Sequence, residues 1–258
     1  MGQALRHSLQ KGVLPVIILI RKRVLLLSAL FCCFLAGLAA VLWFGRTPAS
    51  PVFAARKDAP VTVVVDAGHG GEDGGAVSPD GVEEGRLNLE IALRVNDLLR
   101  FAGQRTRLTR TEDVTIADPD LDTMRQRKAS DLKNRVELVN GTENAVLLSI
   151  HQNSLPSSVV THGAQVFWNR QDGAETLAGI VQDALNRSAN IGKEKRPKQI
   201  PDTIYLMKNI TSPGIIVECG FLSNPEETLR LQQPDYQRKL AAAIAAGYLR
   251  YAAGEEVP

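Results

Sequence analysis

Three short apolar runs, each stopping on a polar, ligand-type residue, constrain this chain more than any other feature. Val61–Val65 runs into Asp66, Gly68, His69, Gly70 and Gly71, Ala145–Ile150 into His151, Gln152 and Asn153, and Ile215–Val217 into Glu218, Cys219 and Gly220. Short apolar runs of this kind, rich in β-branched residues, suit strands buried on both faces. Between them apolar residues recur at helical spacing. The segments are Leu87, Ile91, Val95 and Leu98; Leu121, Met124, Leu132, Val136 and Val139; Leu177, Val181 and Leu185; and Tyr236, Leu240, Ile244, Tyr248 and Tyr251. Gln104–Thr109 reads as a further strand, and the alternation of Ala164, Val166 and Trp168 as another. Strands alternating with helices predict an α/β fold: a single domain over residues 61–252, with a mostly parallel or mixed twisted sheet flanked by helices. Residues 253–258 form a tail.

Such sheets bind ligands outside the carboxyl ends of their strands. Two of the four histidines, His69 and His151, fall at strand ends, with Glu218 at a third. Two imidazoles, a carboxylate and an open fourth position are the donor set of a catalytic zinc site. Glu84 opens the helix after the glycine loop and can reach the same cleft, although helix geometry alone does not choose between it and Glu83. Glu218 follows an apolar strand, where a carboxylate needs a partner or a task. Gly68, Gly70, Gly71, Gly74 and Gly75 do not fit the spacing of a dinucleotide loop, and no Gly-Lys-Ser/Thr follows them. Close approach of backbone to a metal or substrate is the better reason for them. Cys219 raises the rival of a Cys–His nucleophile, but neighbouring strand residues point to opposite faces, so it faces packing if Glu218 faces the cleft. His162 reads as a solvated loop residue.

The net charge of +2 conceals an asymmetry. Residues 1–57 carry eight Lys and Arg and no acid, leaving 22 basic against 28 acidic residues in the remainder, a net of −6. An acidic domain disfavours nucleic acid as a partner. With Cys32 and Cys33 in an apolar run and only Cys219 elsewhere, no disulfide framework and no Cys-x-x-Cys zinc site exist. Val24–Phe44 is a run of 21 uncharged residues behind Arg21, Lys22 and Arg23, long enough to span the roughly 30 Å of a bilayer's hydrocarbon core. The expected organisation is a cytoplasmic basic segment (1–23), a transmembrane anchor (24–44) and a linker (45–60), with the domain on the outer face of the cytoplasmic membrane. A signal peptide cleaved after Val52-Phe53-Ala54 is the rival.

The stretch Asp66–Ala76 (DAGHGGEDGGA), then Glu84, then Ser149–Asn153 (SIHQN), then Val217–Asn224 (VECGFLSN) resembles the zinc-dependent N-acetylmuramoyl-L-alanine amidases that include bacterial cell-separation enzymes. The resemblance covers about residues 61–252 and lies in four motifs in the family's order. It implies a mixed sheet flanked by helices, and hydrolysis of the amide between N-acetylmuramic acid and L-alanine. It implies one zinc ion held by His69, Glu84 and His151, with Gly85 where the family usually has Lys, and Glu218 as the catalytic glutamate. Asp66, Asp73 and Asn153 become candidates to orient imidazoles or substrate. Lys195 and Arg196, in the basic loop with Lys193 and Lys198, become candidates to meet stem-peptide carboxylates. His151-Gln-Asn and Glu218-Cys-Gly-Phe are most similar to the membrane-anchored branch of spore formers, which prepares muramic lactam in the spore cortex. The implied partners are the peptidoglycan glycan strand and stem peptide, the membrane, and an activating protein of unknown identity. A zinc peptidase acting within the stem peptide and a non-catalytic wall-binding or regulatory module are the alternatives.

Overall fold

The computed structural model describes residues 60–257, together with Leu27 and Phe31. The expected basic segment, anchor and linker otherwise lie outside the described residues, apart from Pro60. Among the described residues no helix is long and apolar enough to cross a membrane.

The elements follow the alternation: β1 (Thr62–Ala67), α1 (Glu84–Phe101), β2 (Arg105–Leu108), α2 (Met124–Asn140), β3 (Ala145–Asn153), β4 (Gln165–Trp168), α3 (Ala174–Ser188), β5 (Lys198–Gln199), α4 (Tyr205–Asn209), β6 (Gly214–Phe221), α5 (Pro225–Leu231) and α6 (Pro234–Ala252). They form one six-stranded sheet of order β2-β1-β3-β6-β4-β5. The first four of these strands are parallel. β4 runs antiparallel to β6 and β5 parallel to β4, so the sheet is mixed.

Both faces of the central strands are covered, which is why those strands carry apolar runs rather than a polar–apolar alternation. Val63 and Val65 enter a large core with Ile91, Val95, Leu177, Val181, Leu240 and Ile244 from α1, α3 and α6. Val64, between them, turns to the other face and meets a smaller core with Leu147, Ile216, Val139, Leu206 and Ile210, built under α2 and α4.

That smaller face departs from the sequence expectation. Thr123 caps α2, its hydroxyl accepting from the Gln126 N–H at 3.2 Å while its own N–H donates to Gln126 Oε1 at 3.0 Å, so Leu121 falls outside the helix. Met124 and Leu132 are exposed, and the residues α2 buries are Asp131, Arg135 and Val139. The helix is rotated because one side of it serves a polar loop after β1 rather than an apolar sheet. Arg135 pairs there with both Asp66 and Asp131. Removing one partner of a buried pair like this leaves an uncompensated charge and costs about 3–5 kcal/mol. In α1, Leu98 is likewise exposed and Leu99 buried in its place.

Candidate active site

β1, β3 and β6 are parallel neighbours in the sheet, so the polar residues at their carboxyl ends meet in one cleft. His151 and Glu218 stand directly opposite each other in the β3–β6 register. Cys219 points to the other face, fully buried in the larger core, and burial pushes its thiol pKa up. A thiol so placed is inert, which removes the Cys–His nucleophile.

His69 reaches the cleft from the loop after β1, where it adopts φ 61°. A non-glycine residue in this left-handed region costs roughly 1–2 kcal/mol, so the surroundings must hold it there. Two glycines make the room. A Cβ on Gly68 would lie 2.2 Å from His151 Nε2, and one on Gly75, itself at φ +73°, 2.6 Å from Glu84 Oε2.

Glu84, the first residue of α1, is buried between the two imidazoles, whereas Glu83 is exposed. Its Oε1 lies 2.8 Å from His151 Nδ1 and accepts from Asn88 Nδ2 and the Gln152 N–H, both at 3.1 Å. Its Oε2 accepts from the Ala76 N–H at 2.9 Å and lies 3.4 Å from His69 Nε2. One donor atom from each of His69, Glu84 and His151 falls within 4.8 Å of the others, an arrangement that could hold a metal ion. Burial opposes ionisation of Glu84, but the His151 hydrogen bond, the two imidazoles and the Ala76 N–H overcome it and bring its pKa down to about 2. Burial likewise works against a charged His151, while Glu84, Glu218 and Asp66 raise its pKa to about 9. Without a metal, therefore, His151 holds a proton at neutral pH.

Glu218 Oε2 is buried and has no hydrogen-bond partner. Burial raises the pKa of this carboxyl to about 7, with Glu84 adding to the rise and His151 opposing it. An unpaired buried carboxylate oxygen is costly. One directly beside a His–Glu–His donor set fits a site built around a metal ion and its water, with the carboxylate able to exchange a proton near neutrality.

The remaining candidates separate. Asp73 Oδ2 is 2.9 Å from His69 Nδ1, and Lys128 Nζ holds Asp73 Oδ1 at 2.7 Å. This orients the imidazole with Nε2 toward Glu84. Asp66 spends its oxygens elsewhere: they accept from Arg135, from Thr109 Oγ1 at 2.8 Å and from Ser149 Oγ at 2.6 Å. It anchors the sheet to α2 rather than orienting a histidine. Asn153 lies just past a register shift in β3, its carbonyl accepting from the Leu222 N–H at 2.8 Å. Lys195 is a strut, donating to the Gly163 carbonyl at 2.8 Å with its ammonium 4.5 Å from the centre of the Phe221 ring. The Arg196 side chain is exposed, and its carbonyl accepts from Gln165 Nε2 at 2.9 Å. Gln165 in turn stands opposite Glu218, so the Arg196 backbone is joined to the strand beside Glu218, and of the two basic candidates it is the one with an exposed side chain.

Sequence reasoning missed Asn88, Gln152, Arg110 and Arg135. Asn88 bridges Glu84, the Gly68 carbonyl and Gln152 Nε2. Its position four residues after Glu84, on the same face of α1, was a usable signal. The two arginines act mainly on backbone carbonyls, which leave no mark in a sequence.

A mixed sheet whose strand ends and first helix bring together a His–Glu–His group that could hold a metal ion, with a buried glutamate beside it, is the architecture of a hydrolase. Residues 63–250 match the N-acetylmuramoyl-L-alanine amidase family, and the chain belongs to it. Its reaction is therefore hydrolysis of the muramoyl–L-alanine amide of peptidoglycan. Over 189 residues it is 39% identical to the germination-specific N-acetylmuramoyl-L-alanine amidase of Bacillus subtilis, covering 73% of this chain and 78% of that one. The CwlD amidase of Clostridioides difficile, solved in complex with the GerS lipoprotein, is 33% identical with a TM-score of 0.72, covering 76% of this chain and all of that one. A second amidase structure, from Clostridium difficile 630, is 28% identical with a TM-score of 0.66, covering 77% of this chain and all of that one. The similarity to the spore-former branch thus rests on relatives as well as on the His151 and Glu218 motifs.

Proposed function

We propose that this amidase is zinc-dependent, is tethered to the outer face of the cytoplasmic membrane, and removes stem peptides from muramic acid during maturation of the spore cortex. The observation that carries the zinc reading is Glu84 held between His69 and His151 with the unpaired Glu218 Oε2 beside them. Borderline nitrogen and oxygen donors in a group of three suit zinc with an open position. His69, Glu84 and His151 would hold the ion. The chemistry such an ion supplies when bound is Lewis acidity toward the scissile carbonyl and a lowered pKa for water.

The chain's own residues do the rest. Glu218 accepts the proton of the attacking water at Oε2 and returns it to the departing alanine nitrogen, which leaves as an amine. Asp73 keeps His69 Nδ1 occupied so that Nε2 faces the donor group. Arg196, whose backbone is joined to Gln165 and whose side chain is exposed, meets carboxylates of the stem peptide. The test is product analysis. Purified peptidoglycan treated with the protein should release peptides with a new N-terminal L-alanine, identified by mass spectrometry. Fragments cut within the peptide, with the muramoyl amide intact, would instead establish the peptidase.

The cortex role is supported by the germination-specific relative. The anchor is supported by the uncharged run 24–44 behind three basic residues. N-terminal sequencing of the protein from cells is expected to show residues 24–44 retained. A mature terminus near Ala55 would mean a secreted enzyme. The complex of the C. difficile relative with a lipoprotein supports a wall-side protein partner, so the product assay is run with and without membrane extract.

A further inference from the structure

His69 sits on a loop whose successive carbonyls are all held from below by buried guanidinium groups. The Ala67 carbonyl accepts from Arg110 Nε at 2.9 Å and from Arg135 Nη1 at 2.8 Å. The Gly68 carbonyl accepts from Arg110 Nη2 at 3.1 Å, beside Asn88. The His69 carbonyl accepts from Arg135 Nη2 at 2.8 Å. Neither arginine is free to choose another pose. Arg110 also reaches the Gly85 carbonyl at 2.6 Å, one residue after Glu84. Arg135 is fixed through Nε to Asp131 at 2.6 Å, and Asp131 in turn accepts from Thr115 Oγ1 and the Ile116 N–H.

A guanidinium presents five N–H donors in a rigid planar fork. Here the two forks grip three consecutive carbonyls and so dictate the orientation of each peptide plane from Ala67 to His69. Those planes set the left-handed φ of His69, and that φ aims the imidazole at Glu84 and His151. A buried salt bridge needs only charge, and a lysine would supply it to Asp66 and Asp131. Division of one fork between the Ala67 and His69 carbonyls is the feature that a purely structural ion pair does not require.

We propose that Arg135, assisted by Arg110, is a positioning residue that holds His69 in its metal-binding pose. The proposal rests on the zinc reading above, and the experiment separates the two. Zinc affinity of the full chain in detergent is measured by competition with a chromophoric chelator, for wild type, Arg135→Lys, His69→Ala and the double variant. Thermal unfolding of each metal-free protein runs in parallel. Arg135→Lys keeps the positive charge but cannot bridge the two carbonyls. It is expected to weaken zinc binding about 10–100-fold, the range for groups that orient a metal ligand. In the His69→Ala background, the same Arg135→Lys change should add little, because the ligand it positions is gone.

Equal zinc affinity of wild type and Arg135→Lys would overturn the proposal. So would a loss of affinity that persists undiminished in the His69→Ala background, since that marks a general loosening of the fold. A wild type that binds no zinc would overturn the metal reading itself. If Arg135→Lys does not fold, Arg110→Lys carries the same cycle. Failure of both to fold assigns the pair to the folding core and also overturns the proposal.

Discussion

Glu218→Gln is expected to lower amide hydrolysis by about 10²–10⁴-fold, the usual loss for a positioned general base, while the protein keeps its metal. The substitution preserves shape but removes the lone pair that accepts the proton. Glu218 stands across the strand pair from His151 with its Oε2 buried and unpaired. An amide there costs no broken hydrogen bond at that atom, so stability should change little. Burial already raises the carboxyl pKa to about 7. A group of that pKa both takes and returns a proton near neutrality, which fits a residue that serves as base and then as acid. The neighbouring Cys219→Ala is the internal control. Its thiol lies in the core on the opposite face, so the loss should be confined to packing. An active Glu218→Gln, or a dead but folded Cys219→Ala, would falsify the assignment. The measurement is release of free peptide from purified peptidoglycan, with elemental analysis of each protein.

His151→Ala is expected to weaken zinc binding until the purified protein no longer carries stoichiometric metal, and with it to lose activity. The variant removes one of three donors and also deprives Glu84 Oε1 of its 2.8 Å partner. Elemental analysis of wild type and variant decides the point, and unchanged metal content would end the ligand assignment. The proton balance gives a second readout. In the metal-free protein Glu84 and the other acidic neighbours of His151 outweigh the effect of burial and raise its pKa, to about 9. A ligating imidazole nitrogen must be free of its proton, so proton and metal compete. Zinc binding at pH 7 should therefore release about one proton in wild type, and affinity should rise with pH until His151 is neutral on its own, then level off. Calorimetry in buffers of different ionisation enthalpy measures that proton. The His151→Ala protein should not release it.

The alternation of strands and helices was legible in the chain because the central strands are buried on both faces and so carry unbroken apolar runs. The long helices α1, α3 and α6 were legible because each lays one stripe on the larger core. The short elements β5, α4 and α5 were not. With two, five and seven residues, they complete too few turns or alternations for any period to show. α2 was found, and Val136 and Val139 do pack against the smaller core, but the rest of its buried face was misread. Its inward residues, Asp131 and Arg135, face a polar loop, and hydropathy periodicity assigns charged residues to solvent.

The same division runs through the site. His69, His151 and Glu218 could be named from local motifs, because chemistry-bearing residues at the ends of apolar strands stand out against their surroundings, whereas Glu84 came from the family resemblance. Local pattern could not say that β1, β3 and β6 are adjacent, since sheet order comes from contacts between residues far apart in the chain. Nor could it say that Glu84 rather than Glu83 turns inward, or that Asp73 rather than Asp66 meets a histidine. Asp66 and Asp73 are both acids beside His69, and what separates them is the position of Arg135, 69 residues beyond Asp66. The grip of Arg110 and Arg135 on the loop carbonyls lay further still from view. A backbone carbonyl is the same at every residue, so only the folded chain reveals which carbonyls a distant guanidinium will find.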